Sequence, residues 1–236
     1  MNASTNPYAG YRYPAEIISH AVWLYFRFAL SFRDIEELLA ARGIVVTYEA
    51  VRQGCLKFGQ QYAKEIRRRL LRPGDTWYMD EVFVTINGER HYLWRAMDQD
   101  GDVLDILVQK HRNKRAAKRF FRKLLKGLRY APRRIVTDKL RSYGAARKEV
   151  MTDVIHDNDK WQNNQAENSH QPTRQRERQR RRFKSAGQAQ RFLSAHGPIN
   201  NLFRCGRHLM SAAHYRLFRD RAFDQWREVT YVQNAA

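Results

Sequence analysis

The chain has 236 residues, room for one generous domain or a catalytic domain with an appendage, and 43% of them are hydrophobic, too many for a disordered chain. Forty-four Lys and Arg against 24 acids leave a formal charge of +20, which points to a polyanionic partner, because neutralising phosphates releases condensed counterions. No apolar run approaches the ~18 residues of a spanning helix, the N-terminus lacks the basic-then-apolar build of a secretion signal, and Cys55 and Cys205 stand far apart in no paired motif, so a disulfide framework is not indicated and a reducing cytoplasm is the expected setting.

From Pro14 to Leu30, apolar residues recur at helical spacing: Ile17, Ile18, Ala21, Val22, Tyr25, Phe28 and Ala29. Ser31 opens a second helix, with Asp34 three positions on in a capping-box pattern. Phe32, Ile35, Leu38 and Leu39 give that helix its apolar stripe, and Gly43 is a natural stop. Thr47 can cap a third helix through "YEAVRQGCLKFGQQYAKEIRRRL". This order predicts an all-α helix-turn-helix domain over residues 1–72 that reads DNA. A plain three-helix bundle used for oligomerisation has the same pattern; the basic surroundings favour DNA. Tyr48, Glu49 and Arg52 occupy the first exposed turns of the third helix and are the expected base contacts.

"RPGDT" at Arg72–Thr76 marks the boundary to a second domain, 73–205, with 206–236 as a C-terminal helical tail. "WYMDEVFVTI" reads as a strand, Asn87-Gly88 as a hairpin turn and "HYLWRAMD" as the return strand. "QDGD" turns the chain into a third strand, "VLDILVQ". A helix from about Asn113 to Lys126, a short strand "RRIVTD", a further short strand "DVIH" and a helical stretch from near Asn164 complete the pattern. Three antiparallel strands, helix, strand, helix, strand, helix is the order of an α/β ribonuclease-H-like fold.

Three acids fall at element ends in that order: Asp80 on the first strand, Asp138 closing the fourth and Glu167 near the start of the next helical stretch. In this fold the first and fourth strands are neighbours, so their carboxylates can converge and a helix crossing the sheet end can add a third. Such a cluster suits two Mg²⁺ (or Mn²⁺) ions ~3.5–4 Å apart that activate an attacking hydroxyl and stabilise the leaving oxygen of a phosphodiester. Each acid also has a plain reading. Glu81 adjoins Asp80, and since both strand faces are apolar, alternation does not choose between them; either is expensive there unless something ligates it. Asp138 could be a helix cap, and Glu167 the partner of a capping box begun by Asn164.

Two stretches carry the charge. Lys110 to Arg129 holds ten Lys or Arg and no acid, with Lys114 and Lys118 among them; His170 to Lys184 holds seven and one acid, Glu177. Arg174, Arg178, Arg181 and Arg182 can share one helical flank after Pro172. With Arg176, Lys184 and Lys139 they are the expected backbone grips for double-stranded DNA, against the alternative of a solvated surface with nothing bound. A zinc site from Cys205, His208 and His214 lacks a fourth ligand at natural spacing. His156 and His170 are better read as surface or supporting side chains.

"YMDEVFVTINGERHYLWRAMD", "VTDKLRSYGAA" and "NNQAENSHQPTRQRERQRRRFKS" closely resemble bacterial insertion-sequence transposases of the DDE type, in the insertion-sequence-six family. The resemblance runs from "SFRDIEELLAARGI" to about "INNLFR". It implies an N-terminal helix-turn-helix that reads element ends and an integrase-type catalytic domain. The family's acids fall on Asp80, Asp138 and Glu167, with Mg²⁺ or Mn²⁺ as cofactor. The implied activity is cleavage at the transposon ends and strand transfer into target DNA, by a dimer or larger assembly. A DNA-binding regulator, or a nuclease of the same fold without joining activity, is the alternative. The chain departs from the pattern in three ways. Twenty-eight residues separate Asp138 from Glu167, a shorter gap than in the best-known members; Gln53-Gly54 replaces an expected Arg-Trp pair; and Arg180 stands where Met is usual. Gly54 is expected to weaken the third helix by roughly 1 kcal/mol relative to Ala.

Overall fold

A computed structural model of the chain describes residues 6–69, 73–138, 140–158, 183–204 and 210–231. The chain divides into two compact units, one of residues 1–69 with 202–236 and the other of 70–201.

The first unit is all-α. Helix α1 (Ala15–Arg27) buries Ile18, Ala21, Val22, Tyr25 and Phe26. Helix α2 (Phe32–Ala40) starts in the expected box: the Ser31 hydroxyl accepts from the Asp34 N–H at 3.1 Å, and the Asp34 carboxylate accepts from the Ser31 N–H at 2.7 Å. Gly43 takes φ +75°, a conformation open to glycine at no steric cost, and releases the chain toward α3 (Tyr48–Arg69), where Thr47 Oγ1 accepts from the Ala50 N–H. The two glycines of α3 differ. A methyl group at Gly54 would meet Ile18 at an ordinary 3.7 Å, whereas at Gly59 it would stand 2.4 Å from the buried Phe26 ring. Gly59 is therefore what lets α1 and α3 approach, and Gly54 is not needed for space.

The C-terminal helix, Ala212–Thr230, packs on the N-terminal helices. Trp226 meets Tyr62 edge-to-face at 5.3 Å, Glu228 pairs with Arg69 at 2.8 Å, and the Tyr8 hydroxyl donates to the Thr230 carbonyl at 2.5 Å while sharing a 2.6 Å bond with the Tyr62 hydroxyl. The apolar positions that drive this contact, Ala222, Trp226 and Val229, lie on one helical face.

The second unit is a five-stranded mixed sheet in the order β3-β2-β1-β4-β5, with β1 (Thr76–Ile86), β2 (Glu89–Asp98), β3 (Val103–Gln109), β4 (Arg134–Thr137) and β5 (Ile155–Asp157). Strands β1 to β3 form an antiparallel meander, and β4 and β5 run parallel to β1. This is the ribonuclease-H-like arrangement. Asn87 and Gly88 both take positive φ, so a two-residue turn joins Ile86 to Glu89 in the twist that hairpins prefer. Helices α4 (Lys114–Leu128) and α5 (Arg141–Val150) cover one sheet face, packing Phe120, Phe121, Leu124, Tyr143 and Ala146 on Trp77, Met79 and Trp94.

Helix α6 (Ala186–Leu202) supplies the side chains that close the β3 edge. The Asn201 carboxamide accepts from the Val103 N–H and donates to its carbonyl, and Gln190 does the same for Val108 N–H and Ile106 carbonyl. Numbered in chain order, the C-terminal helix Ala212–Thr230 is α7.

Candidate active site

The parallel ladder between β1 and β4 ends on the pair Met79–Thr137. Asp80 and Asp138 are the next residue on each chain, so the register that buries Trp77, Met79, Ile135 and Val136 also brings two carboxylates side by side. Neighbours on a strand start toward opposite faces. Even so, one carboxylate oxygen from each of Asp80, Glu81 and Asp138 lies within 4.8 Å of the others. Asp80 and Glu81 are buried, and Asp138 is partly open.

Arg112, the residue just before the Asn113 cap of α4, reaches into this cluster. Its guanidinium donates to Glu81 Oε1 at 2.5 Å and to Asp138 Oδ2 at 3.4 Å. Asp138 Oδ1 accepts from the Leu140 N–H at 3.0 Å, which fixes that carboxylate at the start of α5. Beneath, Thr137 Oγ1 is bonded to His156 Nε2 at 2.9 Å, so this half-buried histidine supports the strand end that carries Asp138.

The electrostatics at Glu81 are unusual for a surface-rich basic protein. Burial pushes its pKa up to about 7, the Asp138 and Asp80 charges add to the rise, and the Tyr143 hydroxyl and Arg112 oppose it. Tyr143 is wholly buried and close enough to act on Glu81, yet the pair falls short of good hydrogen-bond geometry. Glu81 Oε2 and the Tyr143 hydroxyl therefore remain buried polar atoms without a partner. An orphaned carboxylate oxygen next to two more carboxylates is a donor set of hard oxygens, and it fits a hard divalent cation such as Mg²⁺ or Mn²⁺.

The structure brings Asp80 and Asp138 together as the register predicts. It adds Glu81, Arg112 and Tyr143, which sequence reading did not place. Glu81 had a signal, an acid flanked by apolar strand residues; Arg112 was one of ten basic residues with nothing to single it out. Glu167, Lys139, Arg174, Arg176, Arg178 and Arg182 lie outside the described residues. Lys184 is exposed at the foot of α6, one residue after Phe183, which bridges Ile86.

The other expected DNA contacts are occupied by protein partners. Lys114 and Lys118 both pair with Glu149 of α5, which draws the Glu149 pKa down to about 2, and Lys123 pairs with Asp105 of β3. The charge on α4 is thus compensated in part from other elements. On α3, Arg52 holds Glu49 in a two-pronged bond of 2.7 and 2.6 Å, with Gln53 adding a third contact. Tyr48 is exposed under the Arg33 guanidinium, 5.5 Å from its ring centre. No helix of the described residues is long and apolar enough to cross a membrane.

A family profile named DDE_Tnp_IS240, described as a DDE domain, matches residues 74–205. Among curated proteins, the transposase for insertion sequence element IS257 in transposon Tn4003 of Staphylococcus aureus is 30% identical over 201 residues, covering 81% of this chain and 86% of that one. The transposase for insertion sequence-like element IS431mec of Staphylococcus aureus (strain Mu50 / ATCC 700699) is 29% identical with the same coverage. Among solved structures, the catalytic domain of Mos1 mariner transposase shares 14% identity at a TM-score of 0.42, over 75% of this chain and 92% of that one, a shallow likeness. With more than half of its length matched by the domain profile and four-fifths by the curated relatives, the chain belongs to the DDE transposases of bacterial insertion sequences.

Proposed function

We propose that the chain binds the terminal inverted repeats of an insertion sequence, cleaves at the element ends and transfers the 3′-OH strands into target DNA. The observation that carries this reading is the pairing of Asp80 with Asp138 one step beyond the β1–β4 ladder, in a chain of the DDE family. Asp80, Asp138 and Glu167 would hold the divalent cations. When bound, two such ions activate a hydroxyl for attack and stabilise the departing oxygen. The chain's own residues do the rest. Burial of Asp80 among apolar strands keeps its carboxylate dry and therefore strongly attracted to a cation. The Leu140 N–H holds Asp138 Oδ1, and Oδ2 is turned to Arg112.

The N-terminal helical unit reads the repeats, with Tyr48, Glu49 and Arg52 nearest the bases, and Lys114, Lys118, Lys139, Arg174, Arg176, Arg178, Arg182 and Lys184 grip phosphates. For Lys114 and Lys118 this means exchanging Glu149 for phosphate, which is feasible at an exposed pair. Two ends are joined in one event, so the working form is a dimer or larger.

The test uses purified chain and a labelled duplex carrying the repeats that flank its gene. Mg²⁺- or Mn²⁺-dependent cleavage and joining is expected in the wild type. Asp80→Asn, Asp138→Asn and Glu167→Gln should each lower it by at least ~100-fold, the scale of losing one preorganised electrostatic group. Undiminished joining by any of these variants removes that acid from the site, and cleavage without joining in the wild type replaces the transposase reading with a nuclease.

A further inference from the structure

We propose that Arg112 is a positioning residue that competes with the divalent cation for Asp138: anchored on Glu81, its guanidinium holds Oδ2 of Asp138 until a metal ion takes that oxygen. This rests on the reading of the acids as metal ligands and adds to it a protein group that metal must displace.

The two ends of the Arg112 bridge are unequal. At Glu81 the contact is 2.5 Å to a carboxylate whose side chain is 1% exposed. At Asp138 it is 3.4 Å to a side chain 29% exposed, beyond the ~2.7–2.9 Å of a strong charge-assisted bond. A competing cation therefore frees the Asp138 end and leaves the Glu81 end in place. Arginine stays charged at any ordinary pH, so the exchange is a movement of the guanidinium and no proton is lost. The two Asp138 oxygens are engaged differently: Oδ1 accepts from the Leu140 N–H, and Oδ2 is the oxygen that Arg112 touches, so a cation that takes Oδ2 displaces Arg112.

The bridge also explains how the acids can gather before metal arrives. Three carboxylates within 4.8 Å repel one another, and the positive charge of Arg112 offsets that repulsion. The side chain has room to turn, being 43% exposed, while its backbone is held by the Asn113 cap of α4, whose carboxamide accepts from the Ala116 N–H at 3.0 Å. Once displaced, the free edge of the guanidinium stays beside the metal, tethered by Glu81, in position to meet a phosphate oxygen of the bound strand. Metal loading and presentation of this cation to DNA are thereby linked.

Mn²⁺ binding to the full chain, followed without DNA by electron paramagnetic resonance, tests this. Arg112→Gln should bind Mn²⁺ about fivefold more tightly than wild type, the size of one partly exposed ion pair removed. Arg112→Lys, whose single ammonium cannot span both acids, should fall between. Arg115→Gln removes the same charge one turn away and touches none of the three acids; its affinity should stay within about twofold of wild type. In cleavage assays at saturating Mn²⁺, Arg112→Gln should be slower despite its tighter metal, opposite movements that a loss of structure would not produce. Equal or weaker Mn²⁺ binding by Arg112→Gln overturns the inference, as does equal tightening in Arg115→Gln. If Arg112→Gln fails to fold, Arg112→Lys decides: affinity no tighter than wild type overturns it. Asp80→Asn separates the two readings. Mn²⁺ binding undiminished in Asp80→Asn ends the metal-ligand assignment, whereas binding lost there but unchanged in Arg112→Gln ends only the competition.

Discussion

Two arginine–glutamate pairs in this molecule have nearly the same contact distances and opposite electrostatic consequences. On the surface of α3, Arg52 grips Glu49 at 2.6 and 2.7 Å and draws its pKa down to about 2. At the heart of the sheet, Arg112 touches Glu81 at 2.5 Å, yet the Glu81 pKa rises to about 7. Proximity of the cation is common to both. What differs is water: Glu49 keeps its hydration, while Glu81 has lost it and sits among two further carboxylates. A salt bridge does not by itself keep an acid ionised. The solvent around it decides, and in this fold the dry position is the one beside Asp80 and Asp138.

The largest test of that difference is the pH dependence of stability with metal chelated. The folded pKa of Glu81 lies above its ordinary 4.5, so folding takes up a proton between those values. The stability it contributes is complete below the ordinary value and is lost as the pH rises through about 7. Relative to Glu81→Gln, wild type should lose up to roughly 3 kcal/mol across that window, read by denaturant titration at several pH values. A constant gap between the two proteins would mean that Glu81 is solvated.

The same contrast of one residue type in two settings recurs at the glycines of α3. Gly59→Ala drives a methyl into the buried Phe26 ring and should cost about 1–2 kcal/mol by thermal melting, overpacking outweighing the gain in helix propensity. Gly54→Ala meets only an ordinary contact and should gain about 0.5–1 kcal/mol. A loss at Gly54 would show that α1 lies closer to α3 than described.

The smallest effect belongs to the surface pair. Glu49→Gln should leave the melting temperature essentially unchanged at pH 7, and added salt should erase any residue of a difference. The contribution of its depressed pKa is complete above the ordinary value and is lost as the pH falls from there through about 2. The informative readout there is DNA: releasing Arg52 from Glu49 should tighten binding to duplexes that lack the repeats and steepen its salt dependence.

Much of the frame was legible because it rests on local chemistry. Ser31 with Asp34, Thr47, Asn87-Gly88 and Gly43 each act within a few residues, and each does what its type predicts. The strand order followed from the alternation of β-rich and helical stretches, and the meeting of Asp80 with Asp138 followed from that order. What escaped is non-local. The partners of Lys114 and Lys118 come from an acid on the next helix, Glu149, and no spacing rule connects them. The docking of α7 depends on Tyr8 meeting Thr230, a contact 222 residues apart in sequence, and on Tyr62 meeting Trp226. Asp80 and Glu81 could not be ranked by pattern because both faces of β1 are apolar; the structure gathers both.

The two carboxamides that α6 lays along β3 carry a further implication. A bare outermost strand invites its neighbour to zip on, and at high local density such pairing grows into fibres. Gln190 and Asn201 occupy those hydrogen-bonding positions from within the same chain. Strand-to-strand self-association through the β3 edge is thereby opposed.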